Sequence, residues 1–173
     1  MPPASHLILP SPQRGGFMPE RETIERARED AREGKSPSTQ AGEFVREEMH
    51  HIREGKHGAA STKQAIAIGL SKARRSGVKL SPPRGGKTSA STSQKAESDY
   101  RKGQRHSRRR PSATRSRATS NALKKKGRSA ASSASLSKQA RTAARNRGSS
   151  SRRNAARKAS RTRKRVYALR PVL

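Results

Sequence analysis

From Arg101 to Leu173 the chain carries 25 lysines and arginines and not one aspartate or glutamate. A segment of this kind repels itself when free and condenses onto a polyanion when one is available, so it limits both the fold and the partners of the chain. The first hundred residues are nearly balanced, with 17 basic and 12 acidic side chains. Hydrophobic content is 28% against a net charge of +30, with two Phe, two Tyr and no Trp. Most of such a chain has too little apolar surface to offset the entropy of ordering it. The expectation is a mostly disordered, otherwise all-α protein, with a short helical hairpin followed by a basic, conditionally helical tail.

Cysteine is absent, which excludes a disulfide framework and a thiolate metal site and suits a reducing compartment. No run approaches the roughly eighteen apolar residues of a membrane span. A soluble protein of the cytoplasm or nucleoid is expected, with no membrane partner.

Changes in composition divide the chain into five parts. In residues 1–17 the stretch Leu7-Ile8-Leu9 is too short for a signal peptide and no basic region precedes it. Arg14-Gly15-Gly16 just before Met18 can be encoded by a purine run of the ribosome-binding type, so these residues are expected to be a disordered leader and Met18 a candidate start. Residues 18–36 contain ERETIERAREDAREG, where Ile24, Ala27 and Ala31 make a narrow stripe among mixed i,i+4 charge pairs. Gly34 stops this solvated, charged helix.

Residues 37–80 are expected to form the hairpin. Ser36 or Ser38 supplies a cap, Pro37 stands in the first turn and Gly55 ends the first helix. Phe44, Val45, Met49 and Ile52 form its apolar face, with Glu43, Glu47 and Glu54 outside. The following run AIAIGL at 65–70 alternates like a half-buried strand. However, Ser61 and Gln64 have capping-box spacing before it, and Gly77 with Val78 ends it about fifteen residues later, which is too long for an ordinary strand. The run is therefore read as helix, with Ile66 and Leu70 facing the core and Ile68 facing away. Together with Val78 and Leu80, these are few large apolar side chains for more than forty residues. The hairpin alone is expected to be marginal and to be completed by self-association, with Ile68 as the contact, or by nucleic acid.

Residues 81–111 read as a flexible linker, with a frayed turn or two over residues 96–105. Residues 112–173 form the basic tail, three loose Ala/Arg/Lys/Ser repeats separated by Gly127 and Gly148. Few large apolar residues hold helices in place there, so they are expected to form fully only on phosphates.

Little else in the sequence carries chemistry. GGKTS at 85–89 resembles the end of a phosphate-binding loop, but Ser81 stands where the first glycine is needed and Pro82 and Pro83 fill the loop. His50, His51 and His57 lie near Glu47 and Glu54, yet there is no H-E-x-x-H and no cysteine, so they read as polar surface residues. No metal, no cofactor and no catalytic residue is expected, and no triad is present.

The basic runs are the specific signal. Arg108, Arg109, Arg110, Lys124, Lys125, Lys126, Arg152, Arg153, Arg157, Lys158, Arg161, Arg163, Lys164 and Arg165 offer cations to phosphates without interleaved aromatics for base stacking. That favours sequence-blind contact with the backbone over base readout. Lys63, Lys72, Arg74, Arg75 and Lys79 in the hairpin are additional candidates.

Met49-His50, Gly55 and the block from Lys63 to Ala73, KQAIAIGLSKA, resemble an uncharacterised family of small basic bacterial proteins with a K-Q-A-I-A-I-[AG]-L-S-x-A motif, often labelled DNA-binding. The likeness runs from about Glu20 to Arg165. Residues 1–17 and the closing VYALRPVL depart from it. The tail is similar in composition to bacterial linker-histone-like proteins. The resemblance implies DNA binding, and with the basic runs the expectation is a non-enzymatic, nucleoid-associated protein that binds and compacts duplex DNA regardless of sequence. An RNA- or ribosome-associated role, and a protein-interaction module tethered to DNA by the tail, are the alternatives.

Overall fold

The computed structural model describes residues 18–83, 88–105 and 112–168. The leader expected over residues 1–17 lies outside them. Within these described residues seven α-helices follow one another: α1 (Arg21–Arg32), α2 (Pro37–Glu54), α3 (Thr62–Arg75), α4 (Ala90–Gln104), α5 (Ala113–Lys124), α6 (Ser133–Asn146) and α7 (Gly148–Ala168). A 3-10 turn, Ser129–Ala131, precedes α6, and there is no strand among the described residues.

The hairpin forms as its end signals dictate. Ser36 caps α2 by accepting from the Thr39 N–H, Pro37 occupies the first turn, and Gly55 closes the helix in the left-handed region at φ 81°. At the start of α3 the Ser61 hydroxyl accepts from Gln64 N–H at 3.2 Å, while Gln64 Oε1 accepts from Ala60 N–H at 2.7 Å. The far end is a Schellman stop: Gly77 N–H bonds Arg74 O at 3.1 Å and Val78 N–H bonds Ala73 O at 3.1 Å. Val78 and Ala73 both enter the core there.

The run 65–70 is helical, and its glycine has a structural role. A Cβ on Gly69 would lie 2.7 Å from Val45 Cα, so α2 and α3 cross backbone to backbone at this point. On either side of the crossing the apolar residues form two clusters. Met49, Ile52 and Ala65 belong to one, with Val45 and Ile66 packed against it. Ala41, Phe44, Ala73 and Val78 belong to the other, with Leu70 and Leu80 against it. Ile66 and Leu70 thus serve different halves of the core.

The fold departs from the expected mostly disordered chain with a short hairpin and a separate tail. Helices run through the described residues, and three segments expected to be loose are packed on the hairpin. α1, expected to be solvated, buries Thr23, Ala27 and Asp30 and sends Ala27 and Ile24 into the second cluster. Arg26 Nε reaches Glu43 Oε2 at 2.9 Å to fix it on α2. Within the expected linker, Ser89 caps α4. α4 docks on α3 so closely that a Cβ on Gly103 would meet Arg74 O at 1.8 Å.

The largest departure is in the tail. Ala130 and Ala131 are buried in the first cluster together with Met49, Ile52 and Ala65, and Leu136 packs against it. Leu123 is buried as well. Gly58 N–H bonds Leu123 O at 3.0 Å, Ala59 N–H bonds Gly127 O at 3.2 Å and Thr62 Oγ1 donates to Ala130 O at 2.7 Å. The hairpin's missing apolar area is therefore supplied from within the basic half of the chain. Alanines can supply it because two small side chains let backbones meet at close range, where little volume is needed to exclude water.

Candidate nucleic-acid interface

The cations predicted from sequence separate into three groups. Arg108, Arg109 and Arg110 lie outside the described residues. Lys124, Lys125 and Lys126 are exposed at the end of α5, beside the segment that pairs with Gly58 and Ala59. Arg152, Arg153, Arg157, Lys158, Arg161 and Arg163 are exposed along α7, and Lys164 and Arg165 continue its backbone. At 100° per residue, the six exposed positions fan over roughly 240° of the helix circumference. Among the described side chains the helix has no single basic stripe; positive charge stands on several of its sides.

The hairpin candidates divide differently. Lys63 and Lys79 are exposed. Arg75 is engaged by α4, with Nε 3.6 Å from Asp99 Oδ1 and a hydrogen bond to Ser71. Lys72 and Arg74 are corrections to the surface reading, because both are buried. Arg74 Nε donates to Leu80 O at 3.2 Å, and burial pushes its guanidinium below the usual arginine range. Neither can reach a phosphate without unpacking the helical head, that is α1 to α4 with the docked residues 123–136. Ile68, expected as a partner contact, is half-buried. It shares a helix stripe with Ser71, which donates to Asp99 of α4, and Arg75, which is ion-paired with the same carboxylate.

Sequence reasoning missed one basic stripe. Lys138, Arg141 and Arg145 line a shallow groove along α6 with Ser133, Ser137 and Thr142. Their i, i+3, i+7 spacing was the signal for it. The opposite face of the helix carries Leu136 into the core.

A second feature lies between the two apolar clusters, where the sequence places α2's middle turn. Glu47, expected to face outward, is buried together with Glu48, His51, His57 and Lys72. Lys72 Nζ lies 2.9 Å from Glu48 Oε2 and 3.3 Å from Glu47 Oε1. This ammonium, 25 residues away along the chain, is what allows carboxylates inside. His51 Nε2 donates to Glu20 Oε1 at 2.7 Å; that bond, followed by one from Lys56, holds the Glu20 carboxyl below the usual range. Of the three histidines read as surface residues, only His50 is exposed, 3.3 Å from Glu54 Oε1.

A family of unknown function (DUF6496) matches residues 34–85, the hairpin with its lead-in and exit. No curated protein and no solved structure matches the chain. Among the described residues, no helix is long and apolar enough to cross a membrane.

Proposed function

We propose that the protein binds nucleic acid through its backbone phosphates, with duplex DNA as the principal ligand, and compacts it as a nucleoid-associated, histone-like protein. The observation that carries this reading is α7, which projects exposed cations around most of its circumference from a segment with no acidic residue at all. Phosphate neutralisation with counterion release needs only such charges, and it is indifferent to sequence. Of the aromatics whose burial is described, Phe44 is buried and Tyr100 half-buried, which offers little for base stacking. The helical head then anchors α6 and α7 rather than touching DNA with Lys72 or Arg74.

The fold changes which truncation tests this. Removing residues 101–173 would strip Leu123, Ala130, Ala131 and Leu136 from the core and confuse unfolding with lost binding. A chain ending at Arg147 keeps the head and loses nine lysines and arginines. The slope of log K against log[salt] on a mixed-sequence duplex should become shallower by up to about 8, at about 0.9 per phosphate contact. An unchanged slope and affinity would overturn the reading. Competition by structured RNA stronger than by duplex DNA would transfer it to an RNA-bound role.

A further inference from the structure

The buried polar layer holds more acceptors than donors. Glu48 is fully buried, and neither of its oxygens has a hydrogen-bond partner; Lys72 lies close to Oε2 as a charge but is not aligned to donate. His51 Nε2 faces the Glu20 carboxylate and must carry the hydrogen there. In the neutral form of the ring Nδ1 would then carry the lone pair; this nitrogen is buried, without a hydrogen-bond partner, and its nearest carboxylate oxygen, on Glu47, is 3.9 Å away. His57 repeats the pattern. Its Nδ1 donates to Gly58 O at 3.3 Å, and Nε2, which carries the lone pair in the neutral ring, lies 3.5 Å from Glu48 Oε1. Glu48, His51 and His57 each offer a ligand atom within 4.8 Å of the other two.

Acceptors gathered in a buried interior without donors are costly, and a cation between them removes that cost. Two carboxylates, Glu47 and Glu48, share the single ammonium of Lys72 there, so the surroundings favour a further positive charge. Two imidazoles and a carboxylate are a donor set that zinc and similar divalent ions accept, with a fourth position left for water. The outer contacts fit as well. A carboxylate on the far nitrogen of one histidine and a backbone carbonyl on that of the other are what fix tautomer and ring orientation around bound metals. Bonds of 2.0–2.1 Å would draw the three atoms to about 3.3 Å apart, an inward movement on the order of an ångström.

We propose that Glu48, His51 and His57 form a binding site for one divalent transition-metal ion of the zinc class. Its place gives it a structural role. His57 stands in the loop whose next two residues, Gly58 and Ala59, hold the backbone of Leu123 and Gly127. The ion would clamp that loop to α2 and so fasten the basic half of the chain to the hairpin.

The test uses the full chain, purified without a histidine tag and stripped with a chelator, titrated with Zn2+ and separately with Co2+. One ion per chain is expected, with Co2+ giving the visible bands of a four-coordinate site of nitrogen and oxygen ligands. His57→Gln, a loop substitution checked for helix content, should weaken Zn2+ binding at least a hundredfold. Glu20→Gln, which weakens only the outer contact, should cost roughly tenfold, and His50→Gln on the exposed side of the same helix should change nothing. Absence of stoichiometric binding would overturn the proposal and leave a protonated imidazole as the compensating charge. Binding that survives His57→Gln, or Co2+ spectra of a six-coordinate surface ion, would overturn it equally.

Discussion

Replacing Gly58 by alanine tests, through the sign of one number, whether the basic half belongs to the fold. No positive φ is required at this position, so if residues 123–127 were elsewhere, Gly58→Ala would stabilise the protein by about 0.4–1 kcal/mol by reducing the freedom of the unfolded chain. In the structure the new Cβ would stand 1.9 Å from Lys126 O, 2.4 Å from Lys126 C and 2.6 Å from Gly127 O. All three are backbone atoms that cannot swing aside as a side chain would. Relief requires the two segments to part, which strains or breaks the bonds of Gly58 to Leu123 and Ala59 to Gly127 and loosens Ala130 and Ala131 beneath them. Two backbone hydrogen bonds at ~1 kcal/mol each, with some lost packing, amount to about 2–4 kcal/mol of destabilisation. Urea unfolding followed by circular dichroism measures this directly, and in a thermal scan the midpoint temperature should fall by on the order of 10 °C. Unchanged or increased stability would refute the docking of residues 123–131.

Two further substitutions test other parts of the head. Lys72→Met removes the ammonium from between Glu47 and Glu48 and should cost about 3–5 kcal/mol in chelator-stripped protein, because two carboxylates remain buried without it; a loss under about 1 kcal/mol in the same urea titration would place Lys72 at the surface. Ser61→Ala deletes the cap on α3 and should cost about 1 kcal/mol with the slope of the unfolding curve unchanged.

The sequence was most informative where local chemistry decides structure. Ser36, Ser61, Gly55 and Gly77 marked the hairpin's ends because caps and left-handed stops act within a few residues. The same flanks resolved residues 65–70 as helix against their strand-like alternation. What could not be read depended on partners distant in the chain. Glu47 looks like an outward carboxylate until Lys72 is brought beside it, and His51 and His57 look like surface residues until α2 and the 55–60 loop converge. α4 was hidden by its serines and threonines, which read as a linker although Ser89 is a cap and Gly103 a contact point. Ala130 and Ala131 were the costliest omission. Alanine has too little side chain to register as a core residue in a charged segment, and its burial depends on how closely backbones approach, which composition does not encode.

Hydrogen exchange of the full chain, with and without duplex DNA, tests the central claim most directly: part of the basic half is core and part is a projecting arm. The amides of Gly58 and Ala59, which bond Leu123 and Gly127, should exchange as slowly as the interior of α2 and α3 in the free protein and hardly change on binding. Those of residues 149–161 in α7 should exchange rapidly when free and slow markedly on DNA. If Gly58 and Ala59 were unprotected in the free protein and gained protection together with α7 only when DNA was added, the basic half would be one disordered tail and the account would be contradicted.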